Sequence, residues 1–292
     1  NVQSIAEKYL KEFNDAHVNE AREGLGANNL GCIIMNVNNG DILAMASYPN
    51  YNLNDPKNIS AYYTEDQIKQ MESDGTIQDA YNALWKNFCI SDTYEPGSTM
   101  KPFTVAAALD SGAITGNETY DCEGYREIGG YKIHCHNRYG DGVITVKQAI
   151  EKSCNVALTY IADALGTSGF CKYQHTFNFG LKTNVDLAGE AKTDNLIYTA
   201  ASMGDTERAT NSFGQSFNAT MIQMITGYCS LINGGNYYEP HMVSKILNAD
   251  GSVVKTIEPR VLKQTISSEV SATIRDYCNG VVTEGTGKTA RP

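Results

Sequence analysis

Tyr94-Glu95-Pro96-Gly97-Ser98-Thr99-Met100-Lys101-Pro102-Phe103 joins a polar stretch to an apolar one, and its reading decides the fold. Pro96-Gly97 forces a turn. The apolar residues 103–109 then predict a buried helix that stops near Gly112. Pro102 is compatible with its first turn, where backbone N–H groups have no helical partner. Ser98 and Lys101, three apart, fall on one helix face and within mutual reach. A serine hydroxyl needs a base to become a nucleophile, and a lysine whose pKa is lowered by desolvation can serve. The plainer alternative is an ordinary helix start with a solvated lysine. The same spacing recurs at Ser252-Val253-Val254-Lys255, but there Asp250-Gly251 predicts a hairpin. Residues three apart in a strand point to opposite faces, so that second match is chance.

Working outward, residues 1–23 carry apolar positions at helical spacing and predict an amphipathic helix. Two apolar runs flank Asn38-Asn39-Gly40, a hairpin signal. Residues 64–71 and 79–85 predict short helices, and residues 156–165 a buried helix halted by Gly166. Another buried helix is expected over 221–233, then a hairpin about Asp250-Gly251 and a helix over 268–280. Strands and helices in runs, without regular alternation, indicate a layered α/β (α+β) domain rather than a doubly wound sheet.

The chain of 292 residues is long enough for a substantial core. With 23 basic and 33 acidic residues it carries a formal charge of −10, which argues against a nucleic-acid partner. Eight cysteines are too few and too scattered for a disulfide scaffold. Cys32, Cys89, Cys229 and Cys278 read as small buried hydrophobes, and Cys171 with His175 as structural.

Ser153-Cys154-Asn155 lies between a polar and an apolar segment. A hydroxyl and an amide two apart on a loop face one side, where they can relay a proton and bind a peptide backbone. Ser216-Phe217-Asn218 fits the same loose pattern. The stretch from Tyr94 to Lys101, followed by Ser153-Cys154-Asn155, resembles the transpeptidase domain of penicillin-binding proteins, class B in particular. Further matches run in order: residues 40–49, Phe179-Gly180, residues 186–190, Gly214-Gln215-Ser216 with Thr220 and Gln223, Asn233-Gly234-Gly235 and Pro240-His241.

The resemblance implies one domain over 1–292 with a β-lactamase/transpeptidase-like antiparallel sheet flanked by helices. It implies a D,D-transpeptidase that crosslinks peptidoglycan stem peptides ending in D-Ala-D-Ala, forms an acyl-enzyme on Ser98 and is acylated by β-lactam antibiotics. Lys101 would be the base, Ser153 the proton shuttle and Asn155 the peptide-orienting group; no cofactor is required. It also implies a place on the extracytoplasmic face of the bacterial membrane, through an N-terminal anchor outside this chain, with a membrane glycosyltransferase as partner. A β-lactam-binding sensor, a D,D-carboxypeptidase, a serine β-lactamase and a zinc-stabilised interaction module remain as alternatives.

Cys154 stands where the family's motif has aspartate. Residues 122–141 add Cys122, His134, Cys135, His136 and Asp141, residue types that zinc favours. The metal reading takes Cys135 and Cys154 with Cys122, His136 or Asp141, giving a structural zinc that steadies the loop of Ser153 and Asn155. A disulfide, or a polar hairpin with buried thiols, is the competing reading. At the other end, Val282 stands where a phosphate-binding loop before Gly287-Lys288-Thr289 needs glycine. Lys288-Thr289-Ala290 also lacks the last glycine of the family's Lys-Thr-Gly element. The expectation is that this element and the central strands follow as a second chain, a nicked fragment or a continuation.

Overall fold

In the computed structural model, residues 1–20, 23, 24 and 26–291 are described, and they divide into two units. The first comprises Asn1–Ile34, Ile42–Asp92 and Leu187–Ala191. Its opening helix α1 (Val2–Ala16) buries Ala6 against Ala44 and Ala46, with Leu10 and Cys32 alongside. This helix ends before the expected residue 23, at a turn closed by the His17 N–H on the Asn14 carbonyl. Beyond it the Asn14 side chain accepts the Ala27 N–H at 3.1 Å, which ties the returning chain to the end of α1. Residues 21 and 22 of the expected helix lie outside the described residues.

Strands β1 (Leu30–Met35) and β2 (Ile42–Tyr48) pair across the expected turn, where Gly40 has φ +82°. Gln3 of α1 satisfies a free edge of β2: its amide donates to Met45 O at 3.0 Å and accepts Met45 N–H at 2.8 Å. Helices α2 (Glu65–Asp74) and α3 (Ile77–Trp85) follow, α2 opened by a capping box of Thr64 and Gln67. With α4 (Phe88–Ser91) they complete the helices of this unit, and Ile59, Ala80 and Leu84 form its second small core.

The second unit, Met35–Asp41 with Thr93–Asp186 and Lys192–Pro292, holds the main core. Its elements are α5 (Lys101–Asp110), β3 (Thr119–Cys122), β4 (Tyr125–Ile128), β5 (Tyr131–His134), β6 (Gly142–Thr145), α6 (Val146–Glu151), α7 (Asn155–Thr176), α8 (Asp205–Asn211), α9 (Met221–Ile232), β7 (Asn236–Tyr238), β8 (Lys245–Leu247), β9 (Val253–Thr256), β10 (Val261–Gln264) and α10 (Ser268–Thr283). The strands form antiparallel pairs β3 with β6, β4 with β5, β7 with β10 and β8 with β9. Ser252 sits in the turn before β9, its hydroxyl on Asp250, so the second serine-lysine match is indeed a hairpin. No helix of the described residues is long and apolar enough to cross a membrane.

Helix α5 is the axis of this core: every residue from Lys101 to Ala108 is buried, as expected of a helix apolar on nearly all sides. Phe103 meets Phe177, Phe179 and Tyr228 edge to face, with centroids 5.1, 5.2 and 4.9 Å away. Helix α7 departs from expectation. It kinks at Gly166 (φ 71°, ψ 161°) and resumes to Thr176. Burial of Phe170, Cys171, Tyr173 and Gln174 holds the second segment against the helix-breaking glycine. Replacing Phe103 with alanine should lower stability by about 3–5 kcal/mol, measured by urea unfolding, because three aromatic neighbours cannot all close the cavity.

Candidate active site and an adjoining thiol cluster

Ser98 lies in a short 3-10 turn, Gly97–Met100, that runs directly into α5. The approach to it is clamped by residues 214–219. Tyr94 and Ala219 exchange backbone hydrogen bonds at 3.0 Å, the Glu95 carboxylate accepts the Ser216 N–H at 2.8 Å, and the Gly97 N–H donates to Gly214 O at 2.8 Å. Gly214 is required here: its φ is +83°, and a Cβ would stand 2.0 Å from Gly97 O. Ser216 therefore braces the turn of Ser98 through its backbone N–H.

Lys101, one helical turn on, is 2 % exposed. Its Nζ donates to Ser153 O at 2.6 Å and to Ser153 Oγ at 2.8 Å, and Ser153 Oγ donates to Ser98 Oγ at 3.0 Å. The lysine thus reaches the exposed serine through Ser153. Ser153 has φ 55°, a left-handed conformation that costs a side-chain-bearing residue roughly 1–2 kcal/mol. The Ser153 N–H bond to Ile150 O and the Cys154 N–H bond to Ala149 O hold it there. Burial pulls the Lys101 ammonium down to about 8, against the opposing pull of Cys135, Cys154 and Asp141. Asn155, the first residue of α7, donates from Nδ2 to His134 O at 3.0 Å.

These groups open onto a cleft of about 660 Å³. Ser98, Ser153 and Asn155 line it, and so do Thr210, Phe213 and Gln215. Lys132, His134, His136 and Arg138 also line it, from β5 and the loop that follows. Spacing in the sequence gives no sign of this wall, because contacts with α7, such as Asn155 Nδ2 on His134 O, hold it beside the serine.

Behind the same loop, Cys122, Cys135, Asp141 and Cys154 converge, their ligand atoms all within 4.8 Å of one another. Register explains the meeting. Cys122 ends β3 opposite Gly142 of β6, so Asp141 is adjacent. Cys135 follows β5, with its N–H on Gly124 O at 2.9 Å, and Cys154 caps α7 by accepting the Ala157 N–H. Gly140 (φ +85°) lets the loops cross, since a Cβ there would lie 2.1 Å from Cys122 O. His136, the remaining sequence candidate, is exposed in the cleft and stands outside this group.

The donor set fits a tetrahedral zinc. A Zn–S bond of about 2.3 Å places neighbouring sulfurs about 3.8 Å apart. Cys135 and Cys154 Sγ are 3.7 Å apart, and Asp141 Oδ2 lies 3.7 Å from Cys135 Sγ. The mutual hydrogen bond holds the Cys135 thiol down to about 5 and pushes that of Cys154 up, so one thiolate is favoured in the pair. All eight cysteines are free thiols.

Residues 30–291 match the family model of the penicillin binding protein transpeptidase domain. The chain belongs to this family. It is 32 % identical over 292 residues to stage V sporulation protein D of Bacillus subtilis, covering 99 % of this chain and 40 % of that relative. Peptidoglycan D,D-transpeptidase FtsI of Escherichia coli is also 32 % identical, over 239 residues, 81 % of this chain and 35 % of its own length. The chain therefore spans well under half the length of these relatives. The fold is similar to that of the D,D-transpeptidase domain of a peptidoglycan glycosyltransferase from Eggerthella lenta, with a TM-score of 0.81 and 24 % identity over 100 % of this chain and 66 % of the other. The layered α/β class expected from the sequence is the fold of this penicillin-binding protein domain.

Burial of Lys101 makes its titration measurable apart from any reaction. In spectra of 13C-labelled lysine its side chain should titrate near pH 8, well below the solvent-exposed lysines, and the signal should vanish in Lys101→Met.

Proposed function

We propose that residues 1–292 belong to one domain of a serine-type peptidoglycan D,D-transpeptidase, which crosslinks stem peptides through an acyl-enzyme on Ser98. The observation that carries this reading is the hydrogen-bonded chain from Lys101 through Ser153 to Ser98. Ser98 Oγ attacks the penultimate D-Ala carbonyl while its proton passes to Ser153 Oγ and the Ser153 proton to neutral Lys101 Nζ. When the tetrahedral intermediate collapses, the C–N bond breaks and the proton returns along the same path to the departing D-Ala amine. An amine of a neighbouring stem peptide then attacks the ester, loses its proton by that route and releases Ser98. Asn155, fixed by its bond to His134 O, orients the peptide backbone.

Stem peptides lie outside the cytoplasm, so the domain works on the outer face of the membrane, beside the glycosyltransferase that supplies its strands. β-Lactams, which present a strained amide in place of the dipeptide, acylate the same serine. In the full-length protein, penicillin should add one covalent equivalent by intact mass, absent in Ser98→Ala; addition that persists in this variant would overturn the proposal. Ser153→Ala should slow acylation by about 10²–10⁴-fold. Because the lysine acts as a base with its pKa lowered to about 8, acylation should rise with pH and level off above about 8.

We further propose that Cys122, Cys135, Asp141 and Cys154 hold a structural zinc. Two of these ligands flank groups of the site: Cys154 lies between Ser153 and Asn155, and Cys135 follows His134, the acceptor for Asn155. The four residues would hold a zinc that ties these two backbones together, while the proton transfers stay with Lys101 and Ser153. Elemental analysis should find one zinc per chain, reduced below about a tenth in Cys135→Ser, and chelation should lower the melting temperature; a metal-free protein of unchanged stability would refute the site.

A further inference from the structure

Four side chains from one short segment, Lys132, His134, His136 and Arg138, face the cleft of Ser98, and among the described residues no carboxylate lines it. In a chain of net charge −10 that composition is a local reversal. The remaining lining includes the uncharged side chains of Thr210, Phe213 and Gln215, with the buried Cys135 thiol behind them. Neither cation is committed to a strong internal partner. Arg138 makes no ion pair among the described residues, and Lys132 has only an exposed contact with Glu127 at 3.8 Å and a place over the Tyr125 ring.

The segment is also fixed in place, unlike an ordinary surface loop. Arg126 on β4 donates to Thr159 Oγ1 at 3.1 Å and to Asp163 at 2.6 Å on α7, and its guanidinium lies 3.8 Å from the Tyr160 ring centroid. Asp163 is anchored from its other oxygen by Arg208 at 2.7 Å. Beyond β5, buried Cys135 pins the loop, while His134 O accepts from Asn155. The backbone bearing the cations is thus attached to the helix that bears Asn155.

We infer that this hairpin wall selects donor peptides carrying a free side-chain carboxylate upstream of the D-Ala-D-Ala end, with Lys132 and Arg138 as the specificity-determining residues. The inference rests on the transpeptidase reading above. The terminal D-Ala carboxylate is common to every donor and carries no such selection. A second carboxylate meets two exposed cations on one anchored hairpin and loop, where charge complementarity discriminates among partners in a salt-dependent way.

The test uses the full-length protein and two synthetic pentapeptides ending in D-Ala-D-Ala, identical except that one has a free carboxylate on its third residue and the other an amide. Release of D-Ala gives kcat/KM for each. The wild type should favour the carboxylate peptide by about tenfold at low salt, with the preference shrinking as ionic strength rises. Lys132→Gln with Arg138→Gln should bring the ratio below about twofold, and Arg138→Glu should turn it towards the amide. Equal use of both peptides by the wild type, or a ratio unmoved in both variants, would overturn the inference. Penicillin labelling of Ser98 separates the two readings: an unlabelled protein overturns the transpeptidase proposal, whereas a labelled one without preference overturns only the selective wall.

Discussion

A lysine buried to 2 % exposure, with its ammonium turned onto one serine, is the constraint on which the rest of the site depends. Removing such a group from water disfavours its charged form, so burial itself lowers the pKa of this lysine. That burial requires a helix surrounded on nearly all sides, which the aromatic cluster about Phe103 supplies. Packing and site geometry meet in α5: the helix that packs the core also holds the lysine one turn from Ser98.

The partner serine has the opposite requirement. Ser153 must present both its carbonyl and its hydroxyl to one ammonium, and it does so in a left-handed backbone that glycine would adopt more readily. The helix ends on either side enforce this conformation, and immediately behind it four potential ligands meet. A loop that must be strained and must also be accurate benefits from a covalently continuous anchor, which Cys154 provides as the N-cap of α7. The chain thereby uses a residue between two reactive groups for support without altering the face those groups present.

Much of the fold was legible from local signals. The turn at Asn38-Asn39-Gly40, the Asp250-Gly251 hairpin and the helices about Phe103 and Ile222 followed from residues a few positions apart. The structure differs from the local reading, or chooses among its alternatives, where distant packing overrode a local signal. Gly166 signals a helix end, yet the buried face of residues 170–174 continues α7 past it. His136 has the right chemistry and neighbourhood for a metal ligand, but alternation along the chain after β5 turns Cys135 inward and leaves His136 in the cleft.

By itself the sequence determined the Ser98 to Lys101 spacing, the alternation that separates Ser153 and Asn155 from Cys154, and the family these motifs indicate. Each depends on geometry within one or two turns of backbone, where bond lengths and dihedral preferences leave little choice. Only the tertiary structure decided that Lys101 is linked to Ser98 through Ser153, that Asp141 rather than His136 joins the three thiols, and that a cationic hairpin borders the cleft. Those relations join residues far apart in the chain, and strand register with core packing brings them together.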